Sequence, residues 1–245
     1  MFLVVRKSVL FGCALAAFVL ALCAGVLCFR EVLPVFSTAA EEKTPEIAVI
    51  VIDPGHGGED SGAVSPEGIA ESGINLDISR RIYALTRFFG QEAVMTRTED
   101  VSIGDAALPT VRQRKSSDLR RRVEIVNQLE NTLLLSVHQN SLPSSPVTHG
   151  AQVFWNRYQG GETLAKCVQN ALNEQINAGN PKQAREMDAS VYLMRQAAAP
   201  AALVECGFLS NAAETMQLLN PGYQTELALA VTAGTLRYIA GENPA

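Results

Sequence analysis

The sequence predicts an α/β fold: a three-layer α/β/α sandwich around a mainly parallel, twisted sheet of about six strands, preceded by an N-terminal transmembrane helix. Three observations lead there. Short runs rich in Val, Ile and Leu stop at Pro, Gly or polar residues, as buried strands do. Segments with apolar side chains at helical spacing fall between those runs, and such alternation is the pattern of parallel strands joined by crossover helices. Hydrophobic residues are 47% and charged residues 18% of a 245-residue chain, enough to bury one large core.

The elements follow in order. Ser8 to Phe29 carries no charge and, at about 22 residues, is long enough to cross a bilayer as a helix. Arg6 and Lys7 precede it, so the positive-inside rule leaves the remainder of the chain outside the cytoplasm. The segment 1–33 therefore reads as a membrane anchor, and the small residues Ser37 to Ala40 offer the alternative of cleavage near residue 39 or 40 with secretion. A short linker, 34–46, contains two prolines. The domain proper, 47–245, opens with an apolar strand ending at Asp53-Pro54. Ile74, Ile78, Ile82, Leu85 and Phe89 then give a core-facing helix from Glu71 onward.

Gln91 to Thr96 reads as a second strand and Arg97 to Asp118 as a long polar segment with a basic cluster at Arg112, Arg114 and Lys115. Leu119, Val123 and Val126 mark a second helix. Thr132 to Val137 is a strongly apolar third strand, Gly150 to Trp155 a fourth, and Leu164, Val168, Ala171 and Leu172 mark a third helix. Val191 to Met194 and Ala201 to Cys206 read as further short strands. Helices around Ala212 to Leu219 and Tyr223 to Ile239 close the domain.

Charge and cysteine usage narrow the function classes. Of the 20 basic and 25 acidic residues, four and three precede residue 46, which leaves 16 against 22 in 46–245, a mildly acidic remainder. The absence of a basic block argues against a nucleic-acid groove supplying the affinity. Cys13, Cys23 and Cys28 lie in the apolar run, so only Cys167 and Cys206 remain, too few for a disulfide framework and without CxxC spacing. Both read as buried small hydrophobes.

The chemistry gathers at strand ends. VIVIDPGHGGEDSG, Val49 to Gly62, delivers His56 into glycine-rich turn chemistry, and the third strand delivers His138 in the same way. Ligands in open α/β sheets collect beyond the carboxyl ends of strands. Two imidazoles and a carboxylate are the usual donor set of a catalytic zinc, which keeps three protein ligands and one position for water. Asp53, Glu59, Asp60 and Glu71 are all near His56. A carboxylate in the first turn of a returning helix points back at the strand ends, which favours Glu71, with Asp60 its rival and Asp53 and Glu59 turn or surface residues. Glu205 ends an apolar strand, where an unpaired ionised carboxylate is expensive unless a metal-bound water or a substrate group compensates it.

These residues resemble the zinc-dependent N-acetylmuramoyl-L-alanine amidases of the type 3 family. The resemblance spans 47–240 and rests on VIDPGHGGEDSGA at 51–63, ESGINLDIS at 71–79, LRRRVEIVN at 119–127, LLSVHQNS at 134–141 and ALVECGFLSN at 202–211, in the family's order. It implies one zinc held by His56, Glu71 and His138, thus choosing Glu71 over Asp60, with Glu205 as catalytic carboxylate. The implied reaction is hydrolysis of peptidoglycan between the lactyl group of N-acetylmuramic acid and L-alanine of the stem peptide.

Within the family, the anchor layout and the RQRKSSDLRRRV stretch at 112–123 are most similar to the germination-specific amidases of spore formers, implying spore-cortex maturation by muramic lactam formation. A vegetative cell-separation amidase, a zinc-bearing binder of the envelope and a zinc peptidase acting within the stem are the alternatives. Asn140 is a candidate for orienting substrate or for capping its strand end; Arg112, Arg114 and Arg122 are candidates for stem-peptide carboxylates, and His149 reads as structural or exposed. Gly55, Gly57 and Gly58 are expected to let the backbone turn around the metal and to leave room for a glycan. A lysine common in the family after the metal-binding glutamate is Ser72 here. Only Asn156 to Gly161 separate the fourth strand from the next helix, too short for the zinc-blocking helix of some division amidases, so control would fall to an envelope accessory protein or to substrate access.

Overall fold

The computed structural model describes residues 47–244. The expected anchor and linker lie outside the described residues; among the described residues no helix is long and apolar enough to cross a membrane.

Six strands form one sheet: β1 (Val49–Pro54), β2 (Ala93–Met95), β3 (Thr132–Asn140), β4 (Gln152–Trp155), β5 (Arg185–Glu186) and β6 (Ala201–Phe208), in the order β2-β1-β3-β6-β4-β5. Adjacent strands among the first four of that order are parallel. β4 runs antiparallel to β6, and β5 follows β4. The sheet is thus mainly parallel, as expected, with a reversed edge.

Strand alternation sorts the core into two faces. Ile50, Ile52, Leu133, Leu135, Val137, Ala202 and Val204 pack beneath α1 (Glu71–Phe88), α3 (Gly161–Gln175), α5 (Ala212–Leu218) and α6 (Pro221–Ile239). Val51, Leu134, Ala201 and Leu203 face α2 (Val111–Asn127) and the single turn α4 (Tyr192–Gln196). The second layer is thin, so the sheet face beyond Leu134 and Leu203 stays accessible. Ser136, His138 and Glu205 share that face by alternation.

Two expected elements change. The basic cluster Arg112, Arg114 and Lys115 lies on α2 and not in a loop: Thr110 and Gln113 form a capping box, so the helix starts at Val111. Val191 to Met194, expected as strand, belongs to the turn of α4. Asp188 Oδ1 accepts the Ser190 N–H at 2.7 Å and bends the chain just before it, and packing of Leu193 and Met194 on the sheet overrides the β-propensity of Val191 and Tyr192. The strand at this edge is β5 instead.

Candidate metal centre

Beyond β1 the backbone turns sharply, and His56 adopts a left-handed φ of 62°. A residue bulkier than Gly is held there only when its surroundings over-determine it. Two buried guanidiniums supply that constraint. Arg97 donates to the carbonyls of Pro54 and Gly55, both at 2.9 Å. Arg122 donates to Pro54 O at 2.8 Å and to His56 O at 2.7 Å. Three consecutive carbonyls of the loop are therefore held by side chains from other elements.

Glu71, the first residue of α1, is buried and fully directed. Its Oε2 accepts from Ala63 N at 2.7 Å, and its Oε1 accepts from Gln139 N at 3.0 Å and Asn75 Nδ2 at 3.1 Å. The same Oε1 lies 2.9 Å from His138 Nδ1 and 3.4 Å from His56 Nε2. One ligand-capable atom from each of His56, Glu71 and His138 falls within 4.8 Å of the others. Asp60 stands behind this group, its Oδ2 2.9 Å from His56 Nδ1 and its Oδ1 accepting from Lys115 Nζ at 3.1 Å. A carboxylate in that place fixes the orientation of a ligating imidazole.

Electrostatics bind the cluster together. Burial pushes the Glu71 carboxyl up, yet the hydrogen bonds to His138 and His56 outweigh it and hold the group well below the usual carboxylate range. Burial disfavours the His56 imidazolium, but Asp60 and Glu71 together raise it to about 9.

Glu205 pairs with His138 across the β3–β6 register. Its Oε2 is buried with no hydrogen-bond partner, and burial pushes its carboxyl up to about 7. An orphaned buried carboxylate oxygen beside two imidazoles and a fixed carboxylate fits a site that takes a cation and a polar reactant. Two nitrogen donors and one oxygen donor suit zinc, with further positions left for water or substrate.

The substrate candidates separate. Arg122 is 2% exposed, bonded at 2.6 Å to both Asp53 and Asp118, so it builds the loop and is not free for a stem-peptide carboxylate. Asp53, read as a turn residue, is instead the buried centre of this network, also accepting from Thr96 and Ser136. Arg114 pairs through two nitrogens with Glu59 at 2.5 and 2.9 Å, while Arg112 is exposed on α2. Asn140 lines the groove, and its Oδ1 accepts from Ser141 N at 2.8 Å, which is strand-end capping. His149 is exposed, and Cys167 and Cys206 are buried free thiols. Ser72 is buried, its Oγ 3.4 Å from Asp100 and its carbonyl accepting from Arg97.

Of the glycines, Gly55 makes room for the site: a Cβ there would lie 2.2 Å from the His138 ring. Gly57 and Gly58 face the backbone of Val101 and Ser102 and not the groove, correcting the glycan role expected of them. Arg97 and Gly62 were missed by sequence reasoning. A Cβ on Gly62 would meet Glu71 Oε2 at 2.5 Å, and no local pattern announces either residue. The groove itself, about 450 Å³, extends from His56 and His138 past Glu205 to Phe154, Met187 and Tyr192.

Residues 50–237 match the family described as N-acetylmuramoyl-L-alanine amidase. Over 190 residues the chain is 34% identical to the germination-specific N-acetylmuramoyl-L-alanine amidase of Bacillus subtilis, an overlap covering 78% of this chain and 79% of that one. It is similar to the solved CwlD amidase of Clostridioides difficile in complex with the GerS lipoprotein, with TM-score 0.76 and 31% identity, covering 80% of this chain and 100% of that one. Its likeness to the amidase AmiC2 of Nostoc punctiforme has TM-score 0.65 and 31% identity over 78% of this chain and 97% of that one.

Proposed function

The chain belongs to the N-acetylmuramoyl-L-alanine amidase family, and from that premise we propose that it is a zinc-dependent peptidoglycan hydrolase that detaches the stem peptide from muramic acid. The observation that carries this reading is the convergence of His56, Glu71 and His138 within 4.8 Å, with the unpartnered Oε2 of Glu205 at the neighbouring strand end. His56, Glu71 and His138 would hold the zinc, which would supply Lewis acidity toward the lactyl carbonyl and toward a water nucleophile. Glu205 takes the proton of that water and returns it to the departing amine of L-alanine, a role worth roughly 10²- to 10⁴-fold in rate. Burial raises its carboxyl above the ordinary carboxylate range, which suits a group that must both take and give a proton. Asp60 and the backbone donors to Glu71 keep the ligands oriented.

Spore-cortex peptidoglycan, matured toward muramic lactam, is the proposed substrate, supported by the 34% identity to a germination-specific amidase. A membrane-anchored placement outside the cytoplasm is supported by the uncharged run 8–29. An envelope accessory protein is the proposed partner, by analogy with the relative solved together with a lipoprotein.

Mass spectrometry of muropeptides digested by the full-length, zinc-loaded chain tests the reading. Intact stems released from muramic acid support it, shortened stems indicate a peptidase, and unaltered muropeptides indicate a binder. Glu205→Gln should keep stoichiometric zinc and lose at least about a hundredfold in stem release; undiminished release removes Glu205 from the mechanism. His138→Ala should lose the metal by elemental analysis.

A further inference from the structure

A second hollow, about 300 Å³, opens beyond the catalytic groove and shares Met187 with it. Its walls include Arg157, Tyr158, Met187, Asp188, Met194 and Arg195. The turn α4 divides the two cavities, giving Tyr192 and Leu193 to the groove and Met194 and Arg195 to the hollow. Arg157 is paired with Glu186 at 2.5 Å. Arg195 differs: among the described residues no carboxylate lies within ion-pair distance of it. Its Nη1 donates to Ala189 O at 2.9 Å, and its guanidinium lies 5.7 Å from the Tyr192 ring centroid. The hollow thus offers one unpaired cation, one anion in Asp188, and thioether and aromatic walls.

Position selects the ligand. Gln152 pairs with Glu205, and the hollow begins at Asn156, just past the end of β4 and four residues beyond Gln152, or about 13 Å at 3.3 Å per residue. With L-alanine at the zinc, an extended stem places its third residue about 7 Å further on. A long side chain on that residue covers the rest of the distance.

We propose that this hollow binds the free end of a diamino acid at the third position of the stem, the side chain whose terminal carbon carries both a carboxylate and an ammonium group. Arg195 receives the carboxylate, Asp188 receives the ammonium, and Met187 and Tyr158 cover the methylenes. This rests on the amidase reading and adds to it a determinant of substrate choice remote from the zinc.

The test uses the full-length zinc-loaded chain and four muramyl tripeptides, whose third residue is free meso-diaminopimelate, the same residue amidated on its side-chain carboxylate, the same residue N-acetylated on its side-chain amine, or lysine. The readout is the ratio of kcat/KM for the free over the amidated stem, with lysine as a second reference. A charge-assisted hydrogen bond predicts a ratio of about ten or more in the wild type. Arg195→Ala should bring it near one, and Arg195→Lys should restore part of it. Asp188→Asn should lower the preference for diaminopimelate over its N-acetylated form. A wild-type ratio near one, or a ratio unmoved by Arg195→Ala, overturns the proposal. Release from none of the stems would refute the amidase reading alone. Calorimetric titration of the intact diaminopimelate tripeptide would then decide the hollow, an Arg195-dependent affinity supporting it and an independent one overturning it.

Discussion

Replacing Arg122 by methionine keeps the side-chain volume inside the domain and removes the charge that neutralises Asp53. Asp53 and Arg122 are 1% and 2% exposed and 2.6 Å apart, so the carboxylate would be left in a dry site with only the Thr96 and Ser136 hydroxyls. Breaking one side of such a pair costs about 3–5 kcal/mol. For a domain of this size each kcal/mol lowers Tm by about 2–4 °C, giving a drop of roughly 6–20 °C. The effect should reach the metal, because Arg122 also holds the His56 carbonyl in its left-handed turn. Thermal melting by circular dichroism, paired with zinc stoichiometry on the folded protein, measures both. The double variant Asp53→Asn/Arg122→Met should recover part of the Tm by removing the stranded charge. A single variant that loses under about 1 kcal/mol and binds zinc normally would refute the reasoning, since the network would then be neither a stabilising pair nor a clamp.

Gly55→Ala should displace the His138 ring, the Cβ arriving at 2.2 Å, and so lower zinc affinity with a melting temperature close to wild type; competition against a chromogenic chelator measures it. Gly57→Val acts on the fold instead, since φ is +134° and the Cβ would lie 2.5 Å from Val101 O; a loss of about 1–3 kcal/mol by urea unfolding is expected. Asp53 also sets an acid limit. Burial pushes its carboxyl up, but Arg122, Thr96 and Ser136 outweigh burial and hold it below its ordinary 3.8. Its stabilising contribution is therefore complete above that pH and is lost as the pH falls below it, a decline that melting curves at stepped pH should show and Asp53→Asn should flatten.

The sequence announced what local chemistry can announce. Apolar runs that end in Pro, Gly or His revealed β1, β3 and β6, because a strand buried on both faces is built mostly from Val, Ile and Leu. The direction of a helix's first turn favoured Glu71 but left Asp60 its rival, and only the family resemblance chose between them. The start of α2 was also there to be read in Thr110 and Gln113, which is a capping signature overlooked amid polar residues. What stayed hidden was tertiary. Nothing near Arg97 says that it will reach Pro54 and Gly55, and Asp53 resembles any turn aspartate until Arg122 arrives from 69 residues away. α4 was misread because β-propensity measures a fit to pleated surroundings, and that segment meets the sheet from above.

The ligand-capable atoms come from the end of β1, the start of α1 and the end of β3, with His138 67 residues beyond Glu71. No short peptide of this chain contains the donor set, so chelation has to wait until β1 and β3 are paired. Such non-local closure belongs to the late, slow part of assembly. On the proposed function, zinc would bind the native state alone and raise its stability by about 2.7 kcal/mol at a hundredfold excess over its Kd. A zinc-dependent rise in melting temperature would make metal occupancy a count of correctly folded molecules, independent of any substrate.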